Sequence, residues 1–167
     1  KKTVQLGPVH KIPDSVSYEE AALAEPLACC INGLELTPVS LGDTVVIIGA
    51  GPIGCMLVQL ARIQGAKKII LAQRSQKRLE MAKEFEADVY VSTRKENLKE
   101  VVMSETEGLG ADVIMIACSS LEAQKQGLKL LAPGGMINFF GGLPSGSDPL
   151  QVYSNDIHYK QSFITGS

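Results

Sequence analysis

Residues Thr44–Ile48 (TVVII) run directly into Gly49-Ala50-Gly51-Pro52-Ile53-Gly54, and a helix-forming stretch follows to about Gln64. The β-branched run prefers an extended backbone, whereas MLVQLARIQ prefers a helix. Three glycines in G-x-G-x-x-G spacing between a strand and a helix form a phosphate cradle. Gly49 permits the tight turn, Gly51 lets a pyrophosphate approach the backbone, and Gly54 lets the helix pack close to the strand. Pro52 removes only an amide that a first helical turn leaves free. The amides around Ile53 then point the positive end of the helix dipole at the phosphates. The motif predicts a dinucleotide site. It also disposes of a spanning helix over Thr44–Ala61, because Gly49, Gly51, Pro52 and Gly54 interrupt that segment near its centre.

The rest of the chain alternates in the same manner. Short apolar runs at Lys68–Ala72, Asp88–Val91, Asp112–Ala117, Met136–Phe140 and near Ser162–Thr165 read as buried strands. Helical stretches lie between them at Gln76–Phe85, Glu96–Glu107 and Leu121–Leu131, with Gly65, Gly108-Leu109-Gly110 and Pro133-Gly134-Gly135 as stops. Continuous apolar strands joined by helices of ten-odd residues predict a parallel sheet covered on both faces. The expected fold class is α/β: a doubly wound, six-stranded parallel Rossmann sheet with an N-terminal helical lead-in. In that lead-in Lys1–Pro13 reads as extended. Ser17-Tyr18-Glu19-Glu20 has capping-box spacing, and the helix after it is expected to stall at Glu25-Pro26 and resume to about Leu36.

A length of 167 residues fits one domain, divided here into a lead-in (1–40) and a nucleotide-binding domain (41–167). With 45% hydrophobic residues there is ample core, so disorder is excluded. A net charge of -2 with no Lys/Arg stripe gives neither nucleic acid nor an anionic membrane a footprint. Cys29, Cys30, Cys55 and Cys118 show no C-x-x-C spacing, which points to reduced thiols in a cytoplasm. The opening KKTVQLGPVHK lacks the apolar region of a signal peptide, in keeping with an intracellular protein.

The end of the second strand bears on the cofactor. About 20 residues past the glycines, a carboxylate is expected to hold the adenosine ribose of NAD. Here the strand ends Ala72-Gln73-Arg74-Ser75, with Arg78 one turn on. A neutral Gln73 beside Arg74 and the Ser75 hydroxyl suits a 2′-phosphate, so NADP(H) is expected over NAD(H). The bland alternative has Arg74 in solvent and Gln73 holding the ribose hydroxyls of NAD.

Further segments carry a family resemblance: Ala24-Glu25-Pro26-Leu27, Gly42-Asp43, the glycine turn, Arg78-Leu79 with Ala82-Lys83, Pro133-Gly134-Gly135 and Gly141-Gly142. Over almost its whole length the chain resembles the nucleotide-binding domain of medium-chain zinc-dependent dehydrogenases, the sorbitol, threonine and alcohol dehydrogenase family. The resemblance implies strand order 3-2-1-4-5-6 and hydride transfer between a secondary alcohol or polyol and NAD(P). It puts the cofactor's ribose and nicotinamide near Cys118, Ser119, Gly141, Gly142 and Leu143, and homo-oligomers formed by edge strands are implied as well. The zinc-binding Cys and Gly-His-Glu segment of the family have no counterpart here. The expectation is therefore a piece of a larger enzyme, inactive alone, with zinc held only in the full-length protein. Glu25 would join that site as ligand or near neighbour. Two alternatives remain at this point: a non-catalytic dinucleotide sensor, and a zinc-independent reductase in which Glu25 is structural. His10 and His158 make no metal spacing and read as surface residues. Cys55 reads as packing, as does at least one of Cys29 and Cys30.

Overall fold

The computed structural model of the chain describes residues 10–167, so the expected extended segment falls largely outside the described residues. Six strands form one sheet: β1 (Thr44–Ile48), β2 (Lys68–Gln73), β3 (Val89–Ser92), β4 (Ala111–Ile116), β5 (Leu131–Phe139) and β6 (Phe163–Gly166). Their order is β3-β2-β1-β4-β5-β6, and every neighbouring pair is parallel. The chain starts in the middle and winds outward in both directions, as expected.

The period of two along each strand divides the core into two layers. From β1, Val45 and Ile47 face one layer with Ile69, Leu71, Val113 and Met115. Leu57, Val58 and Ala61 of α3 (Pro52–Gln64) cover it, with Cys30 and Leu34 of α2 (Ala24–Leu36). Val46 and Ile48 face the other layer with Ile70, Ile114, Ile116 and Ile137. There the cover comes from Leu98 and Val102 of α5 (Leu98–Glu105) and from Ala123 and Leu130 of α6 (Leu121–Leu130). Burying strands on both faces, at roughly 1.5–3 kcal/mol per aliphatic side chain, is what continuous apolar runs are for.

Asp88, just before β3, ties the sheet together at its edge. Its Oδ2 accepts from the amide of the fully buried Ile69 at 2.7 Å and from Arg62 Nη2 at 2.6 Å. Both side chains of that ion pair are about two-fifths exposed, so its own contribution is small. The buried amide is the costly partner to orphan. Asp88→Ala should therefore lose about 1–3 kcal/mol in urea unfolding and Arg62→Ala well under half of that. Equal losses would assign the effect to the ion pair.

A second polar knot joins α2 to the far strands. Asn138, fully buried in β5, donates to the Gly33 carbonyl at 3.3 Å and to Thr37 Oγ1 at 3.1 Å. Its Oδ1 accepts from Ser167 Oγ at 3.1 Å, and Thr37 and Thr165 share a hydroxyl contact of 2.6 Å. Every group is satisfied, so the network fixes where α2 lies.

Several boundaries depart from the sequence reading. Ser17 caps α1 (Tyr18–Ala21) with the foreseen capping box, but the break falls at Ala22-Leu23 and not at Glu25-Pro26. Pro26 sits in the first turn of α2, where its missing amide costs nothing. The helix after β2 is split into α4 (Gln76–Met81) and a 3₁₀ turn over Ala82–Phe85 that ends on Glu86 in the left-handed region. Helix α5 begins later than expected because Asn97 caps it, its side chain accepting from Lys99 N at 3.1 Å. Strand β5 begins at Leu131 and carries Pro133-Gly134-Gly135 inside it. It pairs Leu131 with Ala111, then shifts register before Met136 meets Val113. Helix α7 (Ser154–Lys160) has no counterpart in the sequence reading.

Candidate functional site

Collisions reserve two positions of the glycine turn for glycine. Gly49 has φ +121°, and a Cβ there would lie 2.6 Å from the Ala117 carbonyl oxygen. Its amide donates to Ala72 O at 2.8 Å, which hooks the turn onto β2. A Cβ on Gly54 would strike the Gly49 carbonyl oxygen. At Gly51 the reverse holds: no atom lies within 4 Å of a Cβ position. Gly51 caps α3 with φ -88° and Pro52 is the first helical residue. The first turn leaves the Ile53 and Gly54 amides without carbonyl partners in the helix. Open space over Gly51 and unpaired amides at a helix N-terminus are the two requirements for seating a pyrophosphate.

Gln73 ends β2 with its side chain folded onto its own backbone: Oε1 accepts from Arg74 N at 2.7 Å and Ser75 N at 3.4 Å. The acceptor of Gln73 is thereby engaged, and what it has left to offer a ribose hydroxyl is its amide donor. Ser75 caps α4 by accepting from Arg78 N at 3.4 Å. Arg74, Lys77 and Arg78 are exposed, and none is in an ion pair among the described residues. By contrast Lys83, in the 3₁₀ turn that follows α4, is paired with Glu80 at 2.8 Å. A cleft of about 860 Å³ runs from Gly51 and Pro52 past Ser75 and Arg78 to Phe85. Leu23, Lys77 and Phe85 line it too, and none of the three is among the residues that the sequence assigns to the cofactor. The position of Lys77 in the first turn after β2 is the signal that could have found it.

Cys118 and Ser119 follow β4, beside the glycine turn: a Cβ on Gly49 would lie 3.3 Å from Cys118 Cβ. Gly141 packs on the same loop, its would-be Cβ 2.6 Å from the Cys118 carbonyl, while its amide donates to Ile116 O at 2.8 Å. Gly142 is open and Leu143 half-buried. The ends of β1, β2, β4 and β5 thus bring the expected positions to one edge of the sheet, at the switch point where β1 separates the two halves. Burial pushes the Cys118 thiol up from its ordinary value, so it stays protonated at neutral pH. Alkylation of Cys118 should be slow at pH 8, accelerate as pH rises, and be suppressed by bound dinucleotide. Mass mapping of the modified peptide checks this.

Glu25 lies in the first turn of α2, whose N-terminus adjoins the glycine turn: Leu23 lines the cleft with Gly51, and Cys30 Sγ approaches Ile53 O at 3.9 Å. Its carboxylate is exposed and accepts from Cys29 Sγ at 3.3 Å. That hydrogen bond, above all, raises the pKa of the Cys29 thiol, since ionisation would set two negative groups together. Glu25→Gln should accordingly speed alkylation of Cys29 near pH 8, read by the same peptide map; an unchanged rate would contradict the pairing. Among the described residues no group of three His, Cys, Asp or Glu side chains is placed to hold a metal. Cys30 and Cys55 are buried packing residues, and Cys30 is pushed up to about 11 by burial. His10 and His158 are exposed. No helix among the described residues is long and apolar enough to cross a membrane.

Comparison with known proteins agrees with this architecture. The family described as zinc-binding dehydrogenase matches residues 52–167. D-arabitol-phosphate dehydrogenase of Enterococcus avium is 36% identical over 156 residues, covering 90% of this chain and 44% of that enzyme. A zinc-binding dehydrogenase structure from Sinorhizobium meliloti, bound to NADP, superposes with a TM-score of 0.86 at 32% identity, over 93% of this chain and 46% of that one. An Escherichia coli alcohol dehydrogenase complexed with NADH gives 0.84 at 31% identity, over 95% and 46%. The chain thus spans less than half the length of the relatives it matches. With the glycine turn, the strand order and these matches in agreement, the chain belongs to the zinc-binding dehydrogenase family.

Proposed function

We propose that residues 41–167 are the NAD(P)-binding domain, and residues 1–40 the lead-in to a separate catalytic domain, of a zinc-dependent oxidoreductase. The enzyme would move hydride between a secondary alcohol or polyol and the nicotinamide. The observation that carries this reading is the unobstructed space over Gly51 at the N-terminus of α3, in a chain of this family. The residues assigned to the cofactor are Gly49, Gly51, Pro52, Ile53 and Gly54 for the pyrophosphate, and Gln73, Arg74, Ser75 and Arg78 for the adenosine end. Cys118, Ser119, Gly141, Gly142 and Leu143 would lie along the nicotinamide ribose. NADP(H) is favoured over NAD(H) because cations without acidic partners meet an engaged Gln73 acceptor.

The donor set of the chain fits zinc only in part. Glu25 supplies one exposed carboxylate with Cys29 at its side, and a catalytic zinc takes three protein ligands and an open position. Glu25 would therefore contribute to a site whose other ligands come from outside this chain. Zinc, when bound, lowers the pKa of a coordinated alcohol so that the alkoxide can release hydride. For its part, α2 holds Glu25 beside the cofactor crevice through the Asn138 network, and the glycine turn fixes the cofactor. A polyol substrate is supported by a relative named for D-arabitol phosphate. The outer edge of β6, unpaired among the described residues with Phe163 58% exposed, supports a homo-oligomer. Four unpaired thiols support a reducing, cytoplasmic setting.

The test uses the longer protein that carries this chain: zinc content, and polyol-dependent reduction of NADP followed by absorbance, before and after chelation and in Glu25→Ala. Bound zinc with activity lost on chelation and in the variant is the expected result. Full activity without metal would replace the reading by a zinc-independent reductase. Nucleotide binding without turnover on any polyol would replace it by a sensor.

A further inference from the structure

Where β2 and β3 end side by side, Gln73 is the hub that joins them. Its side chain holds the Arg74 and Ser75 amides, and its main-chain carbonyl accepts from Thr93 N at 3.1 Å. That bond extends the pairing of Gln73 with Ser92 by one residue and keeps the two chains at about the 4.8 Å spacing of adjacent strands. A tight turn follows on β3. The Lys95 and Glu96 amides donate to Ser92 O at 2.8 and 2.9 Å, and Glu96 Oε2 accepts from Ser92 N at 2.9 Å. Arg94 stands within this turn and is exposed. Residues 73–78 and 92–96 together hold Arg74, Lys77, Arg78, Arg94 and Lys95 against one acid, Glu96, in a chain of net charge -2. None of these cations is in an ion pair among the described residues.

We propose that Arg94, on the turn after β3, is a further specificity-determining residue that takes the 2′-phosphate of NADP(H) from the side opposite Arg74. The inference rests on the dinucleotide reading of the crevice and deepens it at one position. A phosphate monoester presents three acceptor oxygens and about -1.5 to -2 charge near neutral pH, more than one guanidinium balances. Arg74 and Arg78 both belong to the β2–α4 connection, so they serve one flank of that group. Arg94 is the first cation on the neighbouring strand end, and a guanidinium forks onto two phosphate oxygens. Glu96 is drawn onto the Ser92 amide and pairs with neither Arg94 nor Lys95, so an arriving phosphate has no carboxylate to displace from them. The ribose of NAD carries no charge at this place. Arg94 therefore acts on the choice between the two nucleotides.

Calorimetric titration of the 167-residue chain with NADPH and with NADH gives the ratio of the two affinities. Arg94→Ala should lower that ratio about three- to tenfold. Lys95→Ala removes the same charge one residue farther on and should lower it by less than about twofold. Backbone amide NMR supplies a readout that needs no variant: the Thr93 and Arg94 amides should shift on saturation with NADPH and stay in place with NADH. A parent chain that prefers NADPH and loses the preference in Arg74→Ala, but keeps it in Arg94→Ala, would overturn the Arg94 assignment and leave the NADP(H) reading intact. Equal effects of Arg94→Ala and Lys95→Ala would reduce the cluster to its net charge and overturn the assignment as well. A parent chain with no preference for NADPH would remove the NADP(H) reading and Arg94 with it.

Discussion

Replacing Gly51 by alanine should leave the stability of the chain within about 0.5 kcal/mol of the parent and weaken dinucleotide binding at least about tenfold. The two halves of that expectation have separate causes. With φ at -88° the backbone suits any L-residue, and no atom lies within 4 Å of the new methyl. The roughly 0.5–1 kcal/mol lost by alanine relative to glycine at a helix cap offsets a similar gain from a stiffer unfolded chain. The methyl does occupy the space through which a pyrophosphate must reach the helix amides. Gly54→Ala should behave in the opposite sense. Its methyl meets the Gly49 carbonyl oxygen, a main-chain atom that cannot rotate away, so the turn must open. A loss of about 3 kcal/mol or more in denaturant unfolding is expected, at the upper end of overpacking effects. If Gly51→Ala destabilises as much as Gly54→Ala, the open space over Gly51 has no functional reading.

Arg74→Ala should reduce affinity for NADPH by about 10- to 100-fold and leave NADH within about twofold, by calorimetry on the same chain. Only the 2′-phosphate differs between the two nucleotides, and Arg74 is an exposed cation beside the engaged Gln73 acceptor. Arg78→Ala should act in the same direction and more weakly. Its backbone amide is committed to the Ser75 cap, and the residue borders the cleft. Equal losses for both nucleotides would make Arg74 a general electrostatic contributor and remove the basis for NADP(H) selectivity.

How much of this was legible depended on whether the deciding contacts were local. The turn from β1 into α3 was legible from its glycine spacing, and the Gly54–Gly49 collision that helps to enforce it is local, although Gly49 is also held by the distant Ala117 carbonyl. Strand order and the two-layer core followed from short apolar runs alternating with helices. The onset of β5 was not legible. Pro133-Gly134-Gly135 reads as a helix stop and a turn, and only pairing with β4, with its register shift, draws it into the strand. Helix α7 escaped notice because it has no side-chain cap and buries none of its residues. The start of α2 was misplaced because Pro26 breaks a helix interior but is harmless in a first turn. The Asn138 network joins residues up to 128 apart in sequence, and no local pattern announces such a partner. Within the candidate site, glycines and strand ends could be placed from spacing alone. The engaged Gln73 acceptor and the cleft residues Leu23 and Phe85 required the fold.

The dinucleotide site is tested most directly by titrating the chain with NADPH, observed residue by residue through backbone amide NMR. Saturable changes are expected at Gly49, Gly51, Ile53 and Gly54, at Arg74–Arg78, and at Cys118 and Gly141. No saturable change at these amides, or a response centred elsewhere on the sheet, would contradict it.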